Sequence, residues 1–97
     1  IQLELAQGAC NAILYYGKAG RFDELEAWGA ILQEQAVRFP DEAAIQLELA
    51  KGAFNAITDY GKAGRFDELE AWGTILREQG GRFPGEAAIH RMLAKGA

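Results

Sequence analysis

The chain has 97 residues, 49% of them apolar and 25% charged, and a formal net charge of −4. This is the composition of a soluble globular class: no apolar run approaches the roughly 18 residues of a membrane span, and no basic face of the kind that phosphate backbones demand is available. The single cysteine, Cys10, excludes both an internal disulfide framework and a cysteine-based zinc site.

Written on a 44-residue period, the chain puts Ile1, Ile45 and Ile89 in one column. The predicted units are 1–44, 45–88 and the start of a third at 89–97, with no insertion or deletion between them. Only columns 7/51, 10/54, 14/58, 15/59, 30/74, 33/77, 36/80, 37/81 and 41/85 differ between the two full copies. Self-similarity at this period marks a stacked array in which each unit buries its apolar face on its neighbours. One continuous array is therefore expected, and a piece of a longer one, since neither end has the polar outer face of a capping unit.

In unit one, helix A precedes "KAGR" at 18–21, helix B follows that turn, and the linker "AVRFPDE" offers Asp41 as an N-cap. In unit two, Ile45, Leu49, Ala53, Ala56, Ile57 and Tyr60 form one helical stripe, and Ala43, Leu47, Ala50 and Phe54 widen it. An arc that broad predicts a helix with neighbours on two sides. Gly64 closes helix A in the left-handed conformation, with Lys62 at the negative end of the dipole. Helix B follows, with Asp67 and Glu70 as an acidic relative of the capping box and Phe66 stapled to Ala71. Its buried stripe is Leu69, Trp72, Ile75 and Leu76. Gly80 and Gly81 are expected to stop it, and Pro84 to set up the next helix A. Gly8, Gly29, Gly52 and Gly73 fall inside helices at a cost of up to about 1 kcal/mol each, which predicts close helix–helix approach.

These residues carry a resemblance. Ala50-Lys51, Asn55, Tyr60-Gly61, Gly64-Arg65 and Asp67-Glu68, matched by Ala6, Asn11, Tyr16-Gly17, Gly20-Arg21 and Asp23-Glu24, follow the pattern of the tetratricopeptide repeat (TPR) family. The chain is most similar to its lengthened bacterial variants, whose units exceed the usual length of about 34 residues. The resemblance implies an all-α fold of antiparallel helix-turn-helix units stacked as a right-handed superhelix, an α-solenoid, with helix A lining the concave groove. "FNAITDYGKAGRFDEL" also resembles the RNA-binding pentatricopeptide repeats, one residue short before the turn.

Three of the differing columns on helix A, 7/51, 10/54 and 14/58, share one helical stripe. The candidate groove comprises Gln7, Cys10, Asn11, Leu14, Tyr15 and Lys18 in unit one, and Lys51, Phe54, Asn55, Thr58, Asp59 and Lys62 in unit two. Apolar anchors beside amide and ammonium groups suit an extended or helical peptide. The alternatives are that solvent-facing columns drift, as 30/74, 33/77 and 37/81 do on helix B, and that Asn11 and Asn55 bond a loop backbone.

Chemistry finds few tools here. The chain has no serine and one histidine, so no nucleophile, base and orienter can be assembled. Glu86 and His90 share a helical face, yet a metal would want two further ligands. A non-enzymatic protein-interaction scaffold without cofactor or metal is the expectation, binding a protein or peptide. End-to-end self-association through apolar ends is the alternative, and nucleic acid and membrane are not expected partners. With no leader pattern visible, a cytoplasmic location is expected.

Overall fold

The computed structural model describes residues 2–83 and 85–96. Five helices follow one another: α1 (Gln2–Lys18), α2 (Phe22–Arg38), α3 (Ala43–Ala63), α4 (Phe66–Arg82) and α5 (Ala87–Gly96). No described residue lies in a strand. The fold is all-α, and the helix A and helix B segments of both units form as the sequence pattern predicts.

Each A-to-B turn is closed by a glycine, Gly20 at φ 72° and Gly64 at φ 74°, the only positive φ values among the described residues. The Arg65 N–H reaches the Tyr60 carbonyl at 2.9 Å and the Gly64 N–H reaches Gly61 at 3.2 Å. Those two bonds satisfy the last carbonyls of α3 in the Schellman manner. Arg21 and Gly20 repeat them on Tyr16 and Gly17 at the end of α1.

The helix starts differ from expectation. Arg65 and Glu42 occupy the N-cap positions of α4 and α3, and neither makes a side-chain capping bond. With α4 beginning at Phe66, Asp67 already lies within the first turn. Its carboxylate meets the dipole from inside the helix instead of capping it, and no Asp67–Glu70 capping box or Phe66 staple forms. Arg65 pairs with Glu68 instead. Asp41 likewise stands one residue too early to cap α3. Nor do Gly80 and Gly81 end α4, which runs on to Arg82. Neither glycine takes a positive φ, so the helix stops only where Phe83 leaves it. The role expected of Pro84 falls outside the described residues.

Helix α3 touches every other helix, while α1 packs on α2 and α3, and α5 on α3 and α4. The molecule measures 33 × 29 × 17 Å. Two helix layers with axes about 8–10 Å apart, each with its Cα atoms about 2.3 Å from the axis, span about 13–15 Å, which the short dimension accommodates. The A helices α1, α3 and α5 lie side by side in one, with α2 and α4 behind. The core is continuous through both units and includes Ile13, Leu25, Leu32, Tyr60, Trp72, Leu76 and Ile89.

The internal glycines divide. A Cβ on Gly29 would lie 2.5 Å from Cζ2 of Trp72, and one on Gly52 2.7 Å from Cδ2 of Leu32 and 3.2 Å from Cδ1 of Ile13. Both are contacts between units. At Gly73 the nearest atom is Nη1 of Arg77 at 3.6 Å, and at Gly8 nothing lies within 4 Å. The close approach expected at all four therefore occurs at two, because Gly8 and Gly73 have no unit packed against them in this chain.

Candidate functional site

The seam between the units is held by polar contacts that the periodicity does not reveal. Glu26 on α2 accepts hydrogen bonds from the Tyr60 hydroxyl of α3 and, at 2.9 Å, from the Trp72 Nε1–H of α4. Burial, with the Glu26 bond added to it, pushes the Tyr60 hydroxyl well above its ordinary value, so Tyr60 remains the donor. Phe22 stacks on Tyr60 with ring centroids 4.6 Å apart. Gln46, fully buried, donates from Nε2 to the Ala36 and Phe39 carbonyls at 2.8 and 3.1 Å. It thereby ties the start of α3 to the end of α2.

The twelve candidate groove residues separate on this frame. Gln7, Asn11, Tyr15, Lys18, Lys51, Thr58 and Lys62 are exposed, and Leu14, Phe54 and Asn55 are half-buried. Cys10 and Asp59 are buried. The thiol of Cys10 is pushed up to about 11, first by burial and then by the adjacent Glu48 carboxylate, which also holds Lys51 at 3.0 Å. Asp59 lies against Gly17 so closely that a Cβ there would overlap its carboxylate. Desolvation raises the Asp59 carboxyl, opposed by Lys62 and Lys18. These two side chains belong to the seam.

That placement explains two of the differing columns. Met92 occupies the column of Glu48 one unit on, and Phe54 the column of Cys10, so the pair of columns changes from Cys–Glu to Phe–Met together. Tyr15 stands in the Asp59 column but is 66% exposed, because no unit precedes it in the described chain. Thr58 turns its hydroxyl to its own helix, donating to the Phe54 carbonyl at 3.0 Å.

Two clefts flank the seam. One of about 310 Å³ is lined by Gly17, Lys18, Gly20, Phe22, Asp59, Lys62 and Ala63, where the C-terminal ends of α1 and α3 meet. Its floor is the Asp59 carboxylate and its rim the two ammonium groups. The other, of about 180 Å³, lies between α2 and α4 beside Val37, Leu49, Ile75 and Gln79. The Gln79 Oε1 is buried there without a hydrogen-bond partner, as is the Oε1 of Gln35 in unit one.

Charge is unevenly distributed over the two layers. Helix α2 carries Asp23, Glu24, Glu26 and Glu34, and α4 carries Asp67, Glu68, Glu70 and Glu78. On α1 and α3 the exposed charges are Lys18, Lys51 and Lys62, with Glu4 far along α1, because Glu48 and Asp59 are buried. No group of three metal-ligating side chains occurs among the described residues, and no described helix is long and apolar enough to cross a membrane. The burial of the seam acids and the Gln46 clasp were beyond sequence reasoning, except that an acid buried in one unit has a non-acid at the same column elsewhere: Asp59 against Tyr15, and Glu48 against Met92.

No family model, no curated protein and no solved structure matches the chain.

Proposed function

We propose that the chain is a segment of a TPR-like right-handed superhelical array, and that it is a protein-interaction scaffold whose α1–α3 surface takes a peptide segment of a partner. The observation that carries this reading is the arrangement of Lys18, Lys51 and Lys62 around half-buried Leu14 and Phe54, on the layer opposite the acids of α2 and α4. Two flexible ammonium groups on the rim of one cleft favour a carboxylate; Phe54 and Leu14 give an apolar side chain something to cover. Asn11 is exposed and Asn55 half-buried on the same two helices, with amide groups that can bond an extended backbone. The partner chemistry that fits is an acidic peptide with an apolar anchor.

The test is fluorescence anisotropy with a labelled library of such peptides, at two salt concentrations. Binding that weakens with salt and loosens at least tenfold in a Lys18→Glu/Lys62→Glu chain is expected. The same titration with a single-stranded uridine oligonucleotide separates the pentatricopeptide alternative. If the oligonucleotide binds and no peptide does, or if charge reversal leaves peptide binding unchanged, the groove reading is wrong.

A further inference from the structure

Three of the columns that differ between the units, 33/77, 36/80 and 37/81, converge on the cleft between α2 and α4, because Gln33, Ala36 and Val37 form its α2 wall. This cleft lies in the layer opposite the lysine-rimmed groove. Its volume of about 180 Å³ falls below the roughly 300–1,000 Å³ of sites for drug-sized molecules and suits a single side chain. Val37 is 78% exposed beside it, Ile75 is half-buried and Leu49 is buried, so part of any occupant meets apolar carbon.

The polar side of the cleft is rich in acceptors. Gln79, 4% exposed, holds its Oε1 without a hydrogen-bond partner. A carbonyl oxygen in that state has lost its water and gained nothing in return, so a donor entering the cleft supplies a missing bond. Glu78 is exposed at the same site and, among the described residues, enters no ion pair. The acids of α2 and α4 outnumber Arg38, Arg77 and Arg82, and each of these arginines is engaged. Arg38 faces Glu34 at 3.8 Å, and Arg77 donates to the Thr74 hydroxyl at 3.2 Å. Arg82 lines the cleft, but its guanidinium donates to the Pro40 carbonyl at 3.3 Å and to Oε1 of Gln46 at 3.5 Å, and neither of those residues lines it.

We infer that the α2–α4 cleft binds the arginine side chain of a partner's peptide segment. A guanidinium is all donor, with five N–H groups and no acceptor, which matches the Gln79 Oε1, the Gln33 amide oxygen and the Glu78 carboxylate. Its methylene stem covers Val37 and Ile75 on the way in. The differing columns then acquire a meaning. Unit two carries Arg77, Gly80 and Gly81 where the α2 wall carries Gln33, Ala36 and Val37. Such a wall sets a cation in place of an acceptor and removes the apolar cover, so a cleft written with those residues rejects the ligand that this one accepts.

The inference is independent of the groove reading, and the experiment keeps the two apart. N-acetyl-argininamide is titrated into the isotope-labelled full chain, and backbone and glutamine side-chain amide shifts are followed by NMR. N-acetyl-citrullinamide, of the same shape without the charge, is the control. A ligand of about fifteen non-hydrogen atoms at ordinary ligand efficiency reaches a Kd of about 1 mM. Saturable shifts centred on Gln33, Val37 and Gln79 are expected, with the citrulline compound bound at least about fivefold more weakly because its hydrogen bonds lack the charge. Gln33→Arg places unit two's own residue in the wall, and Glu78→Gln removes the carboxylate. Gln33 is half-buried and Glu78 exposed, so both variants fold, as circular dichroism verifies. Each is expected to weaken the arginine compound at least about fivefold. The Lys18→Glu/Lys62→Glu chain should bind it within about twofold of wild type, since its changes lie in the other layer. Absence of a saturable shift at the cleft overturns the inference. So does equal binding of the neutral compound, wild-type affinity in either cleft variant, or loss of binding in the Lys18→Glu/Lys62→Glu chain. Binding of an acidic peptide to the groove is read separately from the Lys18 and Lys62 signals, and its failure leaves the arginine result standing.

Discussion

A methyl group is the smallest probe of a helix seam, and Gly29 and Gly73 offer it two different fates although the sequence around them is the same. At Gly29 the added carbon would meet the ring of Trp72, which is 2% exposed and has no flexible end to withdraw. Overpacking of this kind costs about 1–3 kcal/mol, more than the gain of up to about 1 kcal/mol from replacing a helical glycine with alanine. At Gly73 only the propensity gain remains. Urea unfolding at concentrations where the chain is monomeric should therefore show Gly29→Ala less stable than wild type by about 1–2 kcal/mol, and Gly73→Ala more stable by about 0.5–1 kcal/mol. Equal effects at the two sites would mean that the Trp72 contact is not rigid. The periodicity announced a reason for glycine at this column, and the reason is a neighbouring unit's tryptophan.

At the scale of the helix, the same column can decide whether an element is clasped or merely laid down. Gln46 joins α3 to the end of α2 through two carbonyls, and His90, its counterpart on α5, is exposed. The carbonyls one period on belong to Gly80 and Phe83. His90→Gln should restore at least one such bond, worth about 0.5–1.5 kcal/mol, and raise the hydrogen-exchange protection of the α5 amides about tenfold. Unchanged protection would mean that α5 sits in a different register from α3. The presence and order of the helices and the glycine-closed turns were legible in the sequence because they depend on residues within one helical turn, as at Gly64 and Tyr60, whereas the end of α4 past Gly80 and Gly81 was not. The helix starts were misread because the sequence offers carboxylates at several adjacent places, and only the backbone decides that Asp67 is inside α4. Of the twelve candidate groove residues, Cys10 and Asp59 turned out to be buried seam residues. Which face of a helix meets the next unit is set by packing across 44 residues, and spacing along one helix does not record it.

For the whole molecule, Glu26 is the joint at which unit one holds unit two, since one carboxylate oxygen serves donors on both α3 and α4. In a stack where each unit touches only its neighbours, stability is a sum of unit terms and seam terms, and weakening one seam uncouples the units it joins. Glu26→Ala leaves the Tyr60 hydroxyl and the Trp72 N–H without their acceptor, a loss of about 2–3 kcal/mol for partly buried donors. The α3–α4 pair keeps its own turn and its contacts with α5, whereas α1 and α2 lose one of the two polar attachments to it and keep only the Gln46 clasp and the packing on α3. Native-state hydrogen exchange should then report two populations where wild type reports one. Amides of α1 and α2 should lose protection by about tenfold more than those of α4, and α3 should remain the slowest because every other helix covers it. A uniform drop over all helices would mean that the seam survives without Glu26, with packing such as Trp72 on Gly29 and the Gln46 clasp making the two units one body.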